Sequence, residues 1–283
     1  MIVIFYSTTG RFKIFFSCLL YQPNEIVFSM NTVVYLKSAT SAEDKATILD
    51  VFRTFVNALD AYNVTYFMYG GTLLGSYRHH GLVPWDDDVD VIIDGDDKAK
   101  AREALSKVDQ TRYALHDVPD TRYLFTQWKF FSKDLARSHG FPHKSFRWPY
   151  IDVFFFSGNA THIWDAEPQY SSSFLWTRSV VFPLHRRPFE DLSVLAPCDT
   201  HAFLAHNYDL DVCMSLVFDH QREIPRWGYS SVACSDLHAV FPFVFRSPVS
   251  QATKEGAKVN ETLKISDWTL RSLILPSGCQ TQG

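Results

Sequence analysis

Four aspartates fall within five residues, at 86, 87, 88 and 90, and apolar Val91-Ile92-Ile93 follows them before Asp94. Valine and isoleucine at this density read as a buried strand, and strand side chains alternate between faces. Asp88 and Asp90 therefore point the same way, roughly 6.5 to 7 Å apart along the chain. Asp86 has the same parity but lies in the approach to the strand, and Val89 and Val91 take the opposite face. Carboxylates gathered on a buried strand repel one another and lose hydration, so they take up protons or hold a cation. Oxygen ligands suit a hard divalent ion, Mg2+ or Mn2+. A solvated acidic turn is the alternative for an isolated run of this kind. An EF-hand is excluded, because the loop position that requires glycine is Val91.

Two further features raise the metal reading above the acidic turn. Tyr150-Ile-Asp-Val-Phe-Phe-Phe156 sets Asp152 inside a run that is apolar on both faces. A lone aspartate there costs several kcal/mol unless it is paired. Either Arg147 is its structural partner, or Asp152 is a third metal carboxylate on a neighbouring strand. Upstream, Gly70-Gly71-Thr72 ends one strand and opens a helix, where free backbone N–H groups can receive a phosphate. Arg78, His79 and His80 follow, as a phosphate-directed cationic group or as an exposed helix end. A strand, Gly-Gly, a short helix, a two-aspartate strand and a later single aspartate together make the arrangement of a nucleotidyltransferase-type palm.

The elements that must hold these residues can be traced along the chain. Ser41-Ala-Glu-Asp44 reads as a capping box before a helix over 42–61, with Ile48, Phe52, Phe55, Val56 and Leu59 at helical spacing. Val64 to Tyr69 predicts a strand, Thr72 to Arg78 a helix, Asp88 to Asp94 a strand, and Asp96 to Val108 a surface helix. Tyr123 to Phe131 and Pro149 to Phe156 predict further strands, and Pro197 to Tyr208 a helix. From about 210 the pattern is poor, and the polar tail from 247 is expected to be loosely ordered in part. The chain has 283 residues, 46% hydrophobic and 20% charged, with 24 Phe, 13 Tyr and 7 Trp. That is enough apolar surface for a real core, and it excludes disorder as the main state. The 12 Gly and 13 Pro show no period, which excludes a collagen-like or coiled-coil chain. A formal charge of -4 gives no general reason to bind nucleic acid.

Five cysteines occur without a CxxC pair. Cys198, His201, His206 and Cys213 can be drawn as a zinc site, but the first three fall on one predicted helix with poor tetrahedral geometry. Buried thiols, or a disulfide among Cys198, Cys213, Cys234 and Cys279 in a secreted chain, are preferred. Asn63, Asn159 and Asn260 each begin a glycosylation sequon, a lean toward the secretory pathway. The apolar start is broken by Gly10, Arg11 and Lys13, so neither half reaches the roughly 18 to 20 residues that span a bilayer. It is a candidate signal anchor, signal peptide or edge of a truncated chain, and the expected point of any membrane contact.

The run Gly71-Thr-Leu-Leu-Gly-Ser-Tyr-Arg-His-His-Gly-Leu-Val-Pro-Trp-Asp-Asp-Asp-Val-Asp-Val91 closely resembles the signature of the LicD and fukutin family. Tyr150-Ile-Asp-Val-Phe resembles the family's later aspartate strand, and Phe182-Pro-Leu184, Phe189-Glu190 and Pro197 its next blocks. The resemblance covers about 45–210 and implies an α+β, nucleotidyltransferase-like mixed sheet flanked by helices. It implies metal ligation by Asp88, Asp90 and Asp152, with Asp86 positioning the metal or the acceptor hydroxyl. Gly70, Gly71, Thr72 and Arg78 would face a diphosphate. The implied reaction moves a phospho-alcohol, of phosphocholine or ribitol-phosphate type, from a CDP-alcohol donor to a glycan or glycoprotein acceptor, in the Golgi or endoplasmic reticulum. Transfer of a nucleotide to a protein or small molecule, or an inactive glycan-binding or scaffold role, are the alternatives. Three segments are expected: 1–40 as the apolar N-terminus, 41–210 as the catalytic domain, and 211–283 as a less regular extension. Asp209 departs from the small residue the family places after the tyrosine near 208.

Overall fold

The computed structural model describes residues 36–118, 126–226, 228–249 and 257–279. The N-terminal apolar segment, and the first residues of the strand predicted from Tyr123, lie outside the described residues. Helix α1 (Ala42–Ala61) opens on the expected capping box: Ser41 Oγ accepts from the Asp44 amide, and Asp44 accepts from the Ser41 amide. Its apolar stripe, Ile48, Val51, Phe52, Phe55, Val56 and Leu59, is fully buried. Phe52 meets Phe189 edge-on at 5.2 Å and Phe55 packs on Phe130 at 5.5 Å.

Strand β1 (Tyr66–Met68) leads into helix α2 (Gly70–His79), and a loop through Pro84 delivers strand β2 (Val89–Asp94). Helix α3 (Lys98–Ser106) follows, shorter than the predicted 96–108 because Gly95–Asp97 form a 3-10 turn. Strands β3 (Tyr113–His116), β4 (Trp128–Ser132), β5 (Tyr150–Gly158), β6 (His162–Asp165) and β7 (Leu175–Thr177) complete a mixed seven-stranded sheet. Its central order is β1-β2-β5-β4-β3, with β6 and β7 added beyond the far end of β5. Strands β2 and β5 run parallel, and their register sets Asp90 directly beside Asp152. The fold is α+β, a mixed sheet flanked by helices.

A hairpin of β8 (His185–Phe189) and β9 (Leu192–Ala196) and the short helix α4 (Thr200–Ala205) close one end of the sheet. Helix α4 is six residues long, where 197–208 was expected; Asp199 caps it through the Ala202 amide. Cys198 pairs with Cys279 and Cys213 with Cys234, so the drawn zinc set is overturned: its two cysteines belong to separate disulfides. The second bridge sits in a small core with Val83, Trp85, Leu237 and Phe243, beside strands β10 (Val212–Met214) and β11 (Ser231–Ala233).

The described residues from 243 onward form regular structure, while 250–256 and 280–283, part of the tail expected to be loosely ordered, lie outside the described residues. Strands β12 (Phe243–Pro248), β13 (Lys258–Ile265) and β14 (Trp268–Pro276) form an antiparallel sheet. Its polar side chains hid the alternation, and one of them, Glu261, is buried as an ion-pair hub. Glu261 receives Arg187 at 2.8 Å, Arg246 at 2.9 Å and His80 Nε2 at 2.9 Å. Burial alone would raise this carboxyl; the His80 hydrogen bond and the two arginines outweigh that and hold it at about 2.

Candidate active site

Strand pairing brings the aspartates together. One ligand oxygen from each of Asp88, Asp90 and Asp152 lies within 4.8 Å of the others. Asp88 and Asp152 are buried and Asp90 is partly buried. Burial, then the neighbouring carboxylates, Asp88 first and Asp152 next, pushes Asp90 well above the usual carboxylate range. Asp86 is driven up by burial and by Asp88, and Asp88 is raised chiefly by burial. Such a set binds protons or a multivalent cation, because ionising all of it without one is unfavourable.

The double glycine explains how the carboxylates come so close. Gly70 has φ +48°, and a Cβ there would lie 2.7 Å from Asp90 Oδ2. A Cβ on Gly71 would lie 2.6 Å from Asp86 Oδ2. The Gly71 N–H lowers Asp90 by bonding its carboxylate, and Thr72 Oγ1 accepts from the Asp90 amide at 2.7 Å. The helix opening therefore already holds a carboxylate of the chain itself. Arg78 is likewise engaged within the chain. Its guanidinium is buried and donates to the carbonyls of Asp209 at 2.8 Å, Leu210 at 3.1 Å and Val212 at 2.9 Å. It acts there as a clamp on the 209–212 loop, in addition to any contact with the diphosphate expected for it.

Three members of the site have no counterpart among the sequence expectations. Asp87 is fully buried on the opposite parity from Asp86 and Asp88. It accepts from the amides of His220 and Gln221, both at 3.1 Å, and from His220 Nδ1 at 2.8 Å. His220 then presents Nε2 to Asp88 at 3.3 Å. Burial pulls this imidazole down, yet Asp88 and Asp87 outweigh it and hold its pKa at about 10. Lys129 is the third, 2.6 Å from Asp152. Arg147, considered as the partner of Asp152, bonds Ser138 instead. Lys129 was traceable as the one cation in Trp128-Lys-Phe-Phe131. His220 was not, since 133 residues separate it from Asp87. It also lies past residue 210, so the site draws on the extension as well as on the expected catalytic segment.

Fold and site together define an α+β domain, a mixed sheet flanked by helices, built around a carboxylate cluster. Residues 63–199 match the family model described as LicD/FKTN/FKRP, nucleotidyltransferase domain. The match covers just under half of the chain. The lipopolysaccharide cholinephosphotransferase LicD of Haemophilus influenzae is 29% identical over 91 residues, 32% of this chain and 34% of that protein. The ribitol 5-phosphate transferase FKRP of Homo sapiens is 41% identical over 81 residues, 27% of this chain and 16% of that protein. The uncharacterized protein RP689 of Rickettsia prowazekii is 38% identical over 53 residues, 19% of this chain and 20% of that protein. The aligned regions thus span about a third or less of these curated relatives.

Proposed function

We propose that the chain is a metal-dependent transferase that moves a phospho-alcohol from a CDP-linked donor to a glycan acceptor, in glycoconjugate modification. The observation that carries this reading is the convergence of Asp88, Asp90 and Asp152 within 4.8 Å, in a domain whose relatives are named as cholinephosphate and ribitol-phosphate transferases. The donor set fits Mg2+ or Mn2+: three carboxylates, no thiolate, and carboxyls at Asp88 and Asp90 that burial raises. Asp88, Asp90 and Asp152 would hold the ion, which when bound supplies charge neutralisation to a diphosphate and its leaving nucleotide.

The remaining work falls to the chain. Asp86, raised by burial and then by Asp88, would take the proton of an acceptor hydroxyl once a bound cation favours its ionised form. His220, held by Asp87, carries positive charge to the edge of the carboxylates and favours an anionic ligand there. Gly70, Gly71 and Thr72 form the wall beside Asp90, where any bulk would displace the carboxylate and narrow the approach of a phosphate. Two disulfides and a sequon at the exposed turn residue Asn159 favour an oxidising compartment, so we place the protein in the secretory pathway, Golgi or endoplasmic reticulum. Among the described residues no helix is long and apolar enough to cross a membrane.

Incubation with Mn2+ or Mg2+, a panel of CDP-alcohols and NTPs, and glycan acceptors tests the reaction by mass spectrometry. Phospho-alcohol transfer releases CMP, whereas nucleotidyl transfer leaves the nucleotide on the acceptor. Asp90→Asn is expected to abolish turnover, to raise the melting temperature of the metal-free protein by relieving repulsion, and to blunt the stabilisation Mn2+ gives the wild type. Equal Mn2+ shifts in both proteins would remove Asp90 from the ligand set.

A further inference from the structure

Lys129 lies on β4 directly opposite Asp152 on β5. Its Nζ is 2.6 Å from Asp152 Oδ1, with the two side chains 13% and 7% exposed. A lysine so buried is kept by its surroundings, and these are specific. The ammonium sits 3.8 Å from the Tyr150 ring centroid and 4.9 Å from that of Phe146. Tyr150 is itself pinned, its hydroxyl donating to Glu223. The carboxylates of the cluster are thus not balanced alike: Asp152 has Lys129, Asp88 has His220, and Asp90 has the Gly71 N–H.

A divalent ion that takes an oxygen of Asp152 must share it with a cation already in contact, or displace that cation. Like charges a few ångströms apart in a partly buried site oppose each other strongly, because little water lies between them. Resting on the metal reading above, we infer that Lys129 is a positioning residue: the resident counter-ion of Asp152, which competes with the divalent ion and so sets the affinity of the centre. The faces of Tyr150 and Phe146 give the ammonium a place to remain when Asp152 turns to the metal, since a cation over an aromatic ring keeps part of its stabilisation without a carboxylate. Loading the centre then leaves a fixed positive charge beside it.

Calorimetric titration of Mn2+ into the wild type and into Lys129→Met, Lys129→Gln and Lys129→Arg tests this, with melting temperatures of the metal-free proteins alongside. Met and Gln are expected to tighten Mn2+ binding about tenfold, and Arg, which keeps the charge, to leave it near the wild-type value. Without metal, Lys129→Met should melt below the wild type, and that deficit should vanish when Asp152→Asn is added, because the carboxylate left unpaired is then gone. A lysine with a merely packing role would lower the melting temperature in both backgrounds and leave Mn2+ affinity unmoved, which overturns the inference while the metal centre stands. Lack of any Mn2+ binding by the wild type refutes the metal reading, and this inference with it. Should the Met variant fail to fold, the Gln variant supports the same comparison.

Discussion

At the scale of single residues, the contact between Gly70 and Asp90 is the most demanding in the site. Gly70 combines φ +48° with a Cβ position 2.7 Å from Asp90 Oδ2. Gly228 has φ +82° but nothing within 4 Å of its Cβ position. Backbone strain from an added methyl group is of order 1 to 2 kcal/mol at each. The two substitutions Gly70→Ala and Gly228→Ala should therefore lower the melting temperature comparably. Only the first should also lower Mn2+ affinity and turnover, because only there must a carboxylate move. Equal metal binding in the two variants would show that the close approach at Gly70 is incidental. The carboxylate members of this site were legible, since strand parity and an aspartate in an apolar run follow from local sequence. Asp87 received no role, because strand parity singles out only Asp86, Asp88 and Asp90. Its role comes from the two amides and one imidazole of His220 and Gln221, which no local pattern encodes.

At the scale of elements, helix α2 couples the signature motif to a distant loop. The Arg78 guanidinium reaches the carbonyls of 209, 210 and 212, just before Cys213 opens the loop that brings His220 to the aspartates. A lysine keeps the charge, but its single ammonium cannot serve three carbonyls spread over four residues. Arg78→Lys is expected to cost about 1 to 3 kcal/mol in unfolding stability, the scale of charged hydrogen bonds lost in a buried setting. Kinetically it should lower kcat through a loosened His220 more than it raises KM for the CDP-donor. A rise in KM alone, at unchanged stability, would return Arg78 to the diphosphate. Amphipathic α1 and the strands around Asp88 and Asp152 could be placed from periodicity, because each buries one regular face. The β12–β14 sheet could not, since much of its surface is polar or exposed and its buried anchor is a charged residue, Glu261. The hairpin of β8 and β9 escaped notice for a similar reason: His185-Arg-Arg-Pro reads as loop, yet Arg187 turns inward to an ion pair.

At the scale of the whole molecule, the Glu261 hub joins the C-terminal sheet to helix α2 through His80 and to the β8 strand through Arg187. The folded protein keeps Glu261 ionised down to about pH 2, whereas the unfolded chain protonates it near 4.5. The stability it contributes is intact above pH 4.5 and is lost as the pH falls from there toward 2. Glu261→Gln should flatten the acid limb of a melting-temperature profile in that window, while lowering stability at neutral pH. A profile parallel to the wild type would show that the hub does not govern acid unfolding. Reductant acts on the same assembly from another direction. The two bridges span sequence separations of 81 and 21 residues, worth about 3 to 5 kcal/mol each by loop closure. Dithiothreitol is therefore expected to lower the melting temperature sharply, and unchanged melting under full reduction would show that neither bridge restrains the unfolded chain.

The loop from Cys213 to Cys234 has a practical consequence for anyone seeking a minimal unit. The family segment ends at 199, but the groups that satisfy Asp87 and the carbonyls that satisfy Arg78 all lie beyond it. Helix α1, whose phenylalanines cover the sheet, lies wholly ahead of residue 63. A fragment cut at the limits of sequence similarity would expose aromatic surface at one end and strand a buried aspartate and arginine at the other. The smallest piece able to fold and hold the carboxylate cluster is therefore larger than the segment that the family model matches. It should begin ahead of Ser41 and extend at least through Cys279.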